Sequence, residues 1–216
     1  MNSSLCATPA LALVLLAGHA AGSQPAKKEA PAPTSVCATC HGALGEGAPA
    51  SQAPRLAGQS AEYLKKQLDD YASGTRENPI MSNFAKLLNE AQRWDLAIRF
   101  SGLSSPSVPE TTHATPRQLA RGHQLAYQGD ESRQAQACNS CHGPDGAGVL
   151  HAAPYLAGQS AEYLQAALKA FQAGTRQNDA GELMRSVVKR LTDEDIAAVS
   201  VYFAHATPTA TPSSPR

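Results

Sequence analysis

The chain has 216 residues, room for one large domain or two small ones, with 42% hydrophobic and 17% charged side chains. Its 18 basic and 18 acidic residues cancel to a formal net charge of zero. That balance excludes a nucleic-acid-binding protein, whose surface must be basic to meet phosphate.

Residues 1–22 carry no charged side chain, and Leu11 to Ala17 (LALVLLA) form an apolar run too short to span a bilayer. Small residues follow through Gly22, so the stretch reads as a secretory signal peptide cleaved after Ala20 or Gly22. No Lys or Arg precedes the run, which leaves an uncleaved anchor as the alternative. Cys6 leaves with the signal, and the four cysteines that remain are Cys37, Cys40, Cys138 and Cys141. Residues 23–35 are rich in Ala, Pro and Lys without periodicity and read as a flexible leader.

A first domain is expected over residues 36–105. It opens on Cys37-Ala38-Thr39-Cys40-His41-Gly42, two cysteines three positions apart followed at once by histidine, the attachment pattern of a c-type haem. A Gly/Ala/Pro-rich loop follows. Ser60 then caps a helix in which Leu64, Leu68 and Tyr71 recur at helical spacing, and Gly74 is placed to end it in the left-handed conformation. A loop bearing Met81 leads to a last helix capped by Asn89 and Gln92, with Leu96 and Phe100 on its apolar face. Residues 106–116, rich in Ser, Thr and Pro, form a linker.

The second domain, 117–205, repeats the plan. Thr115, Pro116 and Gln118 make a capped helix start that runs toward Cys138-Asn139-Ser140-Cys141-His142-Gly143. Ser160 caps a helix with Leu164, Leu168 and Phe171, ended at Gly174; Thr192 and Asp195 cap a last helix with Ile196, Val199 and Phe203. Residues 54–78 align without gaps on 154–178, and 15 of the 25 positions are identical. The tail, 206–216, has no core-forming residues and is expected to be disordered. The whole reads as all-α: two tandem domains, each wrapped around one covalently bound haem.

His41 and His142 each supply one axial ligand to iron, and what fills the other axial position decides the chemistry. Apart from the initiator, the chain has two methionines, Met81 and Met184, in corresponding polar segments, one per haem motif. A methionine is ordinarily core filler, but a polar, irregular segment is not where core packing is expected. Both are therefore read as axial ligands. His/Met coordination raises the reduction potential and closes both axial sites, which favours electron transfer over chemistry on a bound substrate. A structural zinc site would need four ligands, and the first repeat has no histidine besides His41 to complete one.

A haem-ligating histidine needs its other ring nitrogen held by an acceptor, and the carbonyls of Pro54 and Pro154 stand at like distances along the chain from His41 and His142. Tyr63, Tyr163, Arg76 and Arg176 are repeated polar residues placed either to meet haem propionates or to line an exposed helix face. His123, His151 and His205 have no counterpart in the other repeat and read as surface or helix residues, and Trp94 as core or haem wall.

The double CxxCHG, the repeated P-x-LAGQ-x-x-x-YL, the G-T-R-x-N segment and the methionine after it resemble the cytochrome c4 family over residues 36–205. The resemblance implies two class I cytochrome c folds facing one another about a pseudo-twofold axis. It also implies a periplasmic protein, soluble or membrane-associated, that carries electrons from respiratory complexes to terminal oxidases. The cytochrome subunit of flavocytochrome c sulfide dehydrogenases looks similar and is the alternative, with a dihaem peroxidase-like enzyme as a further one. Two departures stand out. The first domain lacks the family's helix leading into the haem motif, with only the proline-broken APAPTSV in its place, and the first methionine loop is three residues shorter than the second. The two haems are therefore expected to differ in exposure and potential.

Overall fold

Residues 34–48, 52–104, 113–149 and 153–207 are described by a computed structural model. The signal segment, the leader up to residue 33, residues 105–112 of the linker, His151 and the tail from 208 lie outside the described residues. Among the described residues the chain forms nine α-helices and no strand beyond isolated bridges. In the first half these are α1 (Thr34–His41), α2 (Ala61–Ser73), α3 (Met81–Lys86) and α4 (Glu90–Ser101). In the second they are α5 (Pro116–Tyr127), α6 (Asn139–His142), α7 (Ala161–Gln172), α8 (Leu183–Val188) and α9 (Asp193–His205). The order α1–α4 is repeated by α6–α9, and α5 has no counterpart among the described residues.

Local chemistry sets the helix ends. Ser60 and Ser160 accept from the Tyr63 and Tyr163 amides. Asn89, Thr115 and Thr192 each form a complete capping box with the residue three positions on. Gly74 ends α2 at φ 86°, a left-handed angle that glycine adopts without a Cβ penalty. Thr34 and Ser35, read from sequence as the end of the leader, belong to α1, where the Thr39 hydroxyl donates to the Ser35 carbonyl.

Each half closes on its last helix. Leu64, Leu96, Ala97 and Phe100 form the first core, with Leu68 and Trp94 packed against it; Leu125, Leu164, Leu191, Ile196, Val199 and Phe203 form the second. The loop after each haem motif runs over the phenylalanine of that helix. A Cβ on Gly45 would lie 2.8 Å from the Phe100 ring, and one on Gly146 would lie 2.7 Å from the Phe203 ring. The second half is larger because α5 packs on α9. Gly122 permits that crossing: a Cβ there would sit 2.4 Å from the Tyr202 Cβ and 2.5 Å from the Ala198 carbonyl. The neighbours at this crossing are Ala198 and Tyr202, while the next residue, Phe203, belongs to the core.

On α4 the positions matching Ala198, Val201 and Tyr202 are Asp95, Ile98 and Arg99, all exposed. Two charges stand where the second half has apolar surface, so this face is composed for solvent. Both halves belong to one contiguous unit, joined by hydrogen bonds described below.

Candidate functional site

His41 and His142 stand at the C-terminal ends of α1 and α6, each one residue after its second cysteine. Both are 7% exposed. The Pro54 carbonyl lies 2.8 Å from His41 Nδ1, and the Pro154 carbonyl lies 2.9 Å from His142 Nδ1. A carbonyl can only accept, so Nδ1 carries the proton and Nε2 keeps its lone pair for a metal. Burial holds both imidazoles below the usual histidine range, against the opposing pull of the proline carbonyls. No disulfide joins the four motif cysteines, and Cys40 and Cys141 are exposed. Burial pushes the Cys138 thiol up to about 12 and also raises Cys37, which is less enclosed.

The two methionines are not in irregular loops, as composition suggested. Met81 is the first residue of α3 and Met184 the second residue of α8, both half-buried. Side-chain hydrogen bonds from residues upstream of each helix, which composition does not reveal, make the difference. Asn78 Oδ1 accepts from the Ile80 and Met81 amides at 3.0 and 2.9 Å. Asp179 accepts from the Arg185 amide and guanidinium at 3.0 and 2.8 Å. Each short helix begins on a carboxylate or amide that holds the backbone next to the sulfur-bearing residue.

Tyr63, Tyr163, Arg76 and Arg176 do not line an exposed helix face; they meet across the boundary between the halves. Arg76 donates to the Tyr163 hydroxyl and Arg176 to the Tyr63 hydroxyl, each at 3.3 Å. Arg76 stacks over Tyr71 and Arg176 over Phe171, with 4.6 and 4.3 Å to the ring centroids. Burial raises the Tyr163 hydroxyl, but the two guanidiniums beside it outweigh that and leave it below the usual tyrosine value. No carboxylate pairs with either arginine among the described residues. Two enclosed cations without an anion are what a group bearing carboxylates, such as haem with its propionates, would complete. Thiols, neutral imidazoles, methionines and unpaired guanidiniums thus form a donor set that fits haem c in both halves.

Two residues central to the boundary were not singled out from sequence. Gln59 Nε2 donates to the Tyr155 carbonyl and its Oε1 accepts from the Tyr155 amide, at 3.1 and 2.9 Å. Gln159 does the same to Arg55, at 3.1 and 2.9 Å. The Arg55 guanidinium also lies over the Tyr155 ring. The signal was present: both glutamines end the repeated LAGQ, too far from the cysteines for haem attachment to explain them.

The cytochrome c family profile matches residues 22–98 and 119–207. The thiosulfate dehydrogenase electron acceptor of Stutzerimonas stutzeri is 41% identical over 170 residues, covering 79% of this chain and 78% of that protein. Reduced recombinant cytochrome c4 from Pseudomonas stutzeri superposes with a TM-score of 0.74 at 33% identity, covering 81% of this chain and 95% of that one. The thiosulfate dehydrogenase TsdBA of Marichromatium purpuratum superposes with a TM-score of 0.73 at 36% identity. That match takes in 79% of this chain but 36% of the larger one.

Proposed function

The chain belongs to the cytochrome c family, carries two covalently bound haem c groups and is an electron-transfer protein rather than an enzyme, and from that premise we propose a periplasmic single-electron carrier of the cytochrome c4 type. Cys37 and Cys40 attach one haem and Cys138 and Cys141 the other, with His41 and Met81, and His142 and Met184, as the axial pairs. The haem supplies a one-electron Fe(III)/Fe(II) couple. The residues of the chain hold it: Pro54 and Pro154 fix the imidazole tautomer, and the capped starts of α3 and α8 present the sulfurs. Arg76, Arg176, Tyr63 and Tyr163 offer cations and hydroxyls to propionates. With both axial positions taken by protein, no site is left for a substrate. The observation that carries this reading is the pair of buried, neutral imidazoles with Nδ1 engaged by a proline carbonyl, one in each half.

The partners are redox proteins outside or at the membrane. The S. stutzeri electron acceptor and the TsdBA superposition favour a second, narrower reading in which the donor is a thiosulfate-oxidising dehydrogenase. One measurement tests the carrier reading as a whole and a second separates the two donors. Haem quantification with a reduced visible spectrum is expected to give two low-spin haem c per chain, and one haem or none would end the proposal. Rapid mixing with a thiosulfate dehydrogenase and thiosulfate is expected to reduce both haems in the narrower reading, whereas a chain that stays oxidised there serves another donor.

A further inference from the structure

The boundary between the halves is symmetric at Gln59 and Gln159 and asymmetric about two helix turns further on. Gln67 of α2, 8% exposed, accepts at one oxygen from Arg76 at 2.7 Å, Arg176 at 3.1 Å and Asn178 at 2.9 Å. Asp70 accepts from the same Asn178 amide at 2.6 Å, and Lys66 donates to the Asn178 carbonyl at 2.8 Å. Arg176 closes the set by donating to Asn178 Oδ1 at 2.9 Å. Asn178 immediately precedes Asp179, whose carboxylate holds Arg185, the neighbour of Met184. Hydrogen bonds to Asn178, its peptide link to Asp179 and the bonds of Asp179 to Arg185 therefore connect α2 of the first half to the methionine segment of the second.

Among the described residues α7 makes no matching set of bonds to Asn78; its Tyr163 accepts from Arg76. The residues of α7 matching Lys66, Gln67 and Asp70 are Ala166, Ala167 and Ala170, which have no polar side chain to offer. Asn78, the counterpart of Asn178, is exposed and spends its amide on Ile80 and Met81 and its own N–H on Ser82. Asn178 is 7% exposed. Of the two methionine segments, one is hydrogen-bonded through its asparagine to the helix of the other half, and the asparagine of the other bonds only within its own segment.

We propose that Lys66, Gln67 and Asp70 are positioning residues for the second haem: they clamp the Met184 segment from across the boundary, leaving Met81 the more readily displaced ligand. The proposal rests on the methionine ligation put forward above. Opening of an axial position requires the segment bearing the sulfur to swing away, so breaking the clamp lowers that barrier for one haem only.

Cyanide binding to the oxidised, haem-loaded full chain reads this directly, because the anion enters only when a methionine leaves. Two phases of equal amplitude are expected, the fast one accelerated by Met81→Ala and the slow one by Met184→Ala. Asp70→Ala should speed the slow phase about tenfold, the loss of one or two buried hydrogen bonds, and leave the fast phase unchanged; Gln67→Ala, which also releases Arg76 of the first half, should speed the slow phase by at least as much and the fast phase by less. Gln67→Glu keeps the accepting oxygen and should keep the slow phase slow, which a loss of general stability would not do. Lys66→Met, at a half-exposed position, should shift the slow phase in the same direction and supplies the answer if Gln67→Ala does not fold. Variants that leave the slow phase untouched, or that accelerate both phases equally, overturn the clamp. Absence of a sulfur-to-iron charge-transfer band in the oxidised wild-type chain would instead overturn methionine ligation itself.

Discussion

At the scale of single residues, the side chains that join the halves matter as much as those that face the haem. Gln159 spends both ends of its amide on the Arg55 backbone. Gln159→Ala removes these two hydrogen bonds and a third from the Ser160 amide, and strands the Arg55 amide and carbonyl in a boundary where water cannot easily replace them. We expect a loss of about 2–4 kcal/mol in unfolding free energy, measured by denaturant titration of the haem-loaded protein. Gln159→Glu should cost no less, because a carboxylate cannot donate to the Arg55 carbonyl. The attachment cysteines and the histidines were legible because bond-forming chemistry fixes their spacing. Gln59 and Gln159 were visible only as repetition, since their partners lie about a hundred positions away and short-range spacing carries no information about them.

At the scale of elements, every helix cap and every apolar face read from sequence appears in the structure, because both depend on residues three or four positions apart. The short helices at the methionines escaped, since Asn78 and Asp179 start them with side chains that composition assigns to loops. The added helix α5 brings with it a charge cluster that its bare counterpart face lacks. Arg121 bridges Asp130 and Asp195 at 2.6 and 2.7 Å, and Arg133 reaches Asp195 as well. Burial works to raise Asp195, but hydrogen bonds from Arg121 and Thr192 outweigh it and hold the carboxyl below its usual range. Asp130, bonded to Arg121 and Ser132, is brought down to about 2. Carboxyls depressed in the folded state bind fewer protons there than when unfolded, so their contribution is complete above the ordinary carboxylate pKa and fades as pH falls through the folded value. The docking of α5 on α9 should therefore weaken between about pH 4 and pH 2. Urea midpoints across that range should fall less steeply in Asp195→Asn than in the parent, from a lower starting stability at neutral pH.

At the scale of the whole molecule, the halves share a plan and differ in enclosure. The second half has α5, the larger core, the more deeply buried cysteine and the clamped methionine segment. Burial disfavours the more highly charged ferric iron, so the second haem should have the higher potential and be reduced first. A spectroelectrochemical titration is expected to resolve two one-electron waves, and Met184→His should lower the higher of them. The expected inequality was legible in the missing leading helix; its direction required the cross-boundary contacts. Those contacts carry a further meaning. Each glutamine does to the opposite half what its twin does in return, the self-complementary pattern that two identical subunits share about a dyad. In effect the linker makes one chain out of a homodimer, and it lifts a constraint that no homodimer escapes. Identical subunits must change both copies of a residue at once, whereas here Lys66, Gln67 and Asp70 have Ala166, Ala167 and Ala170 as their counterparts. Fusion is what allowed one partner to become the holder and the other the held.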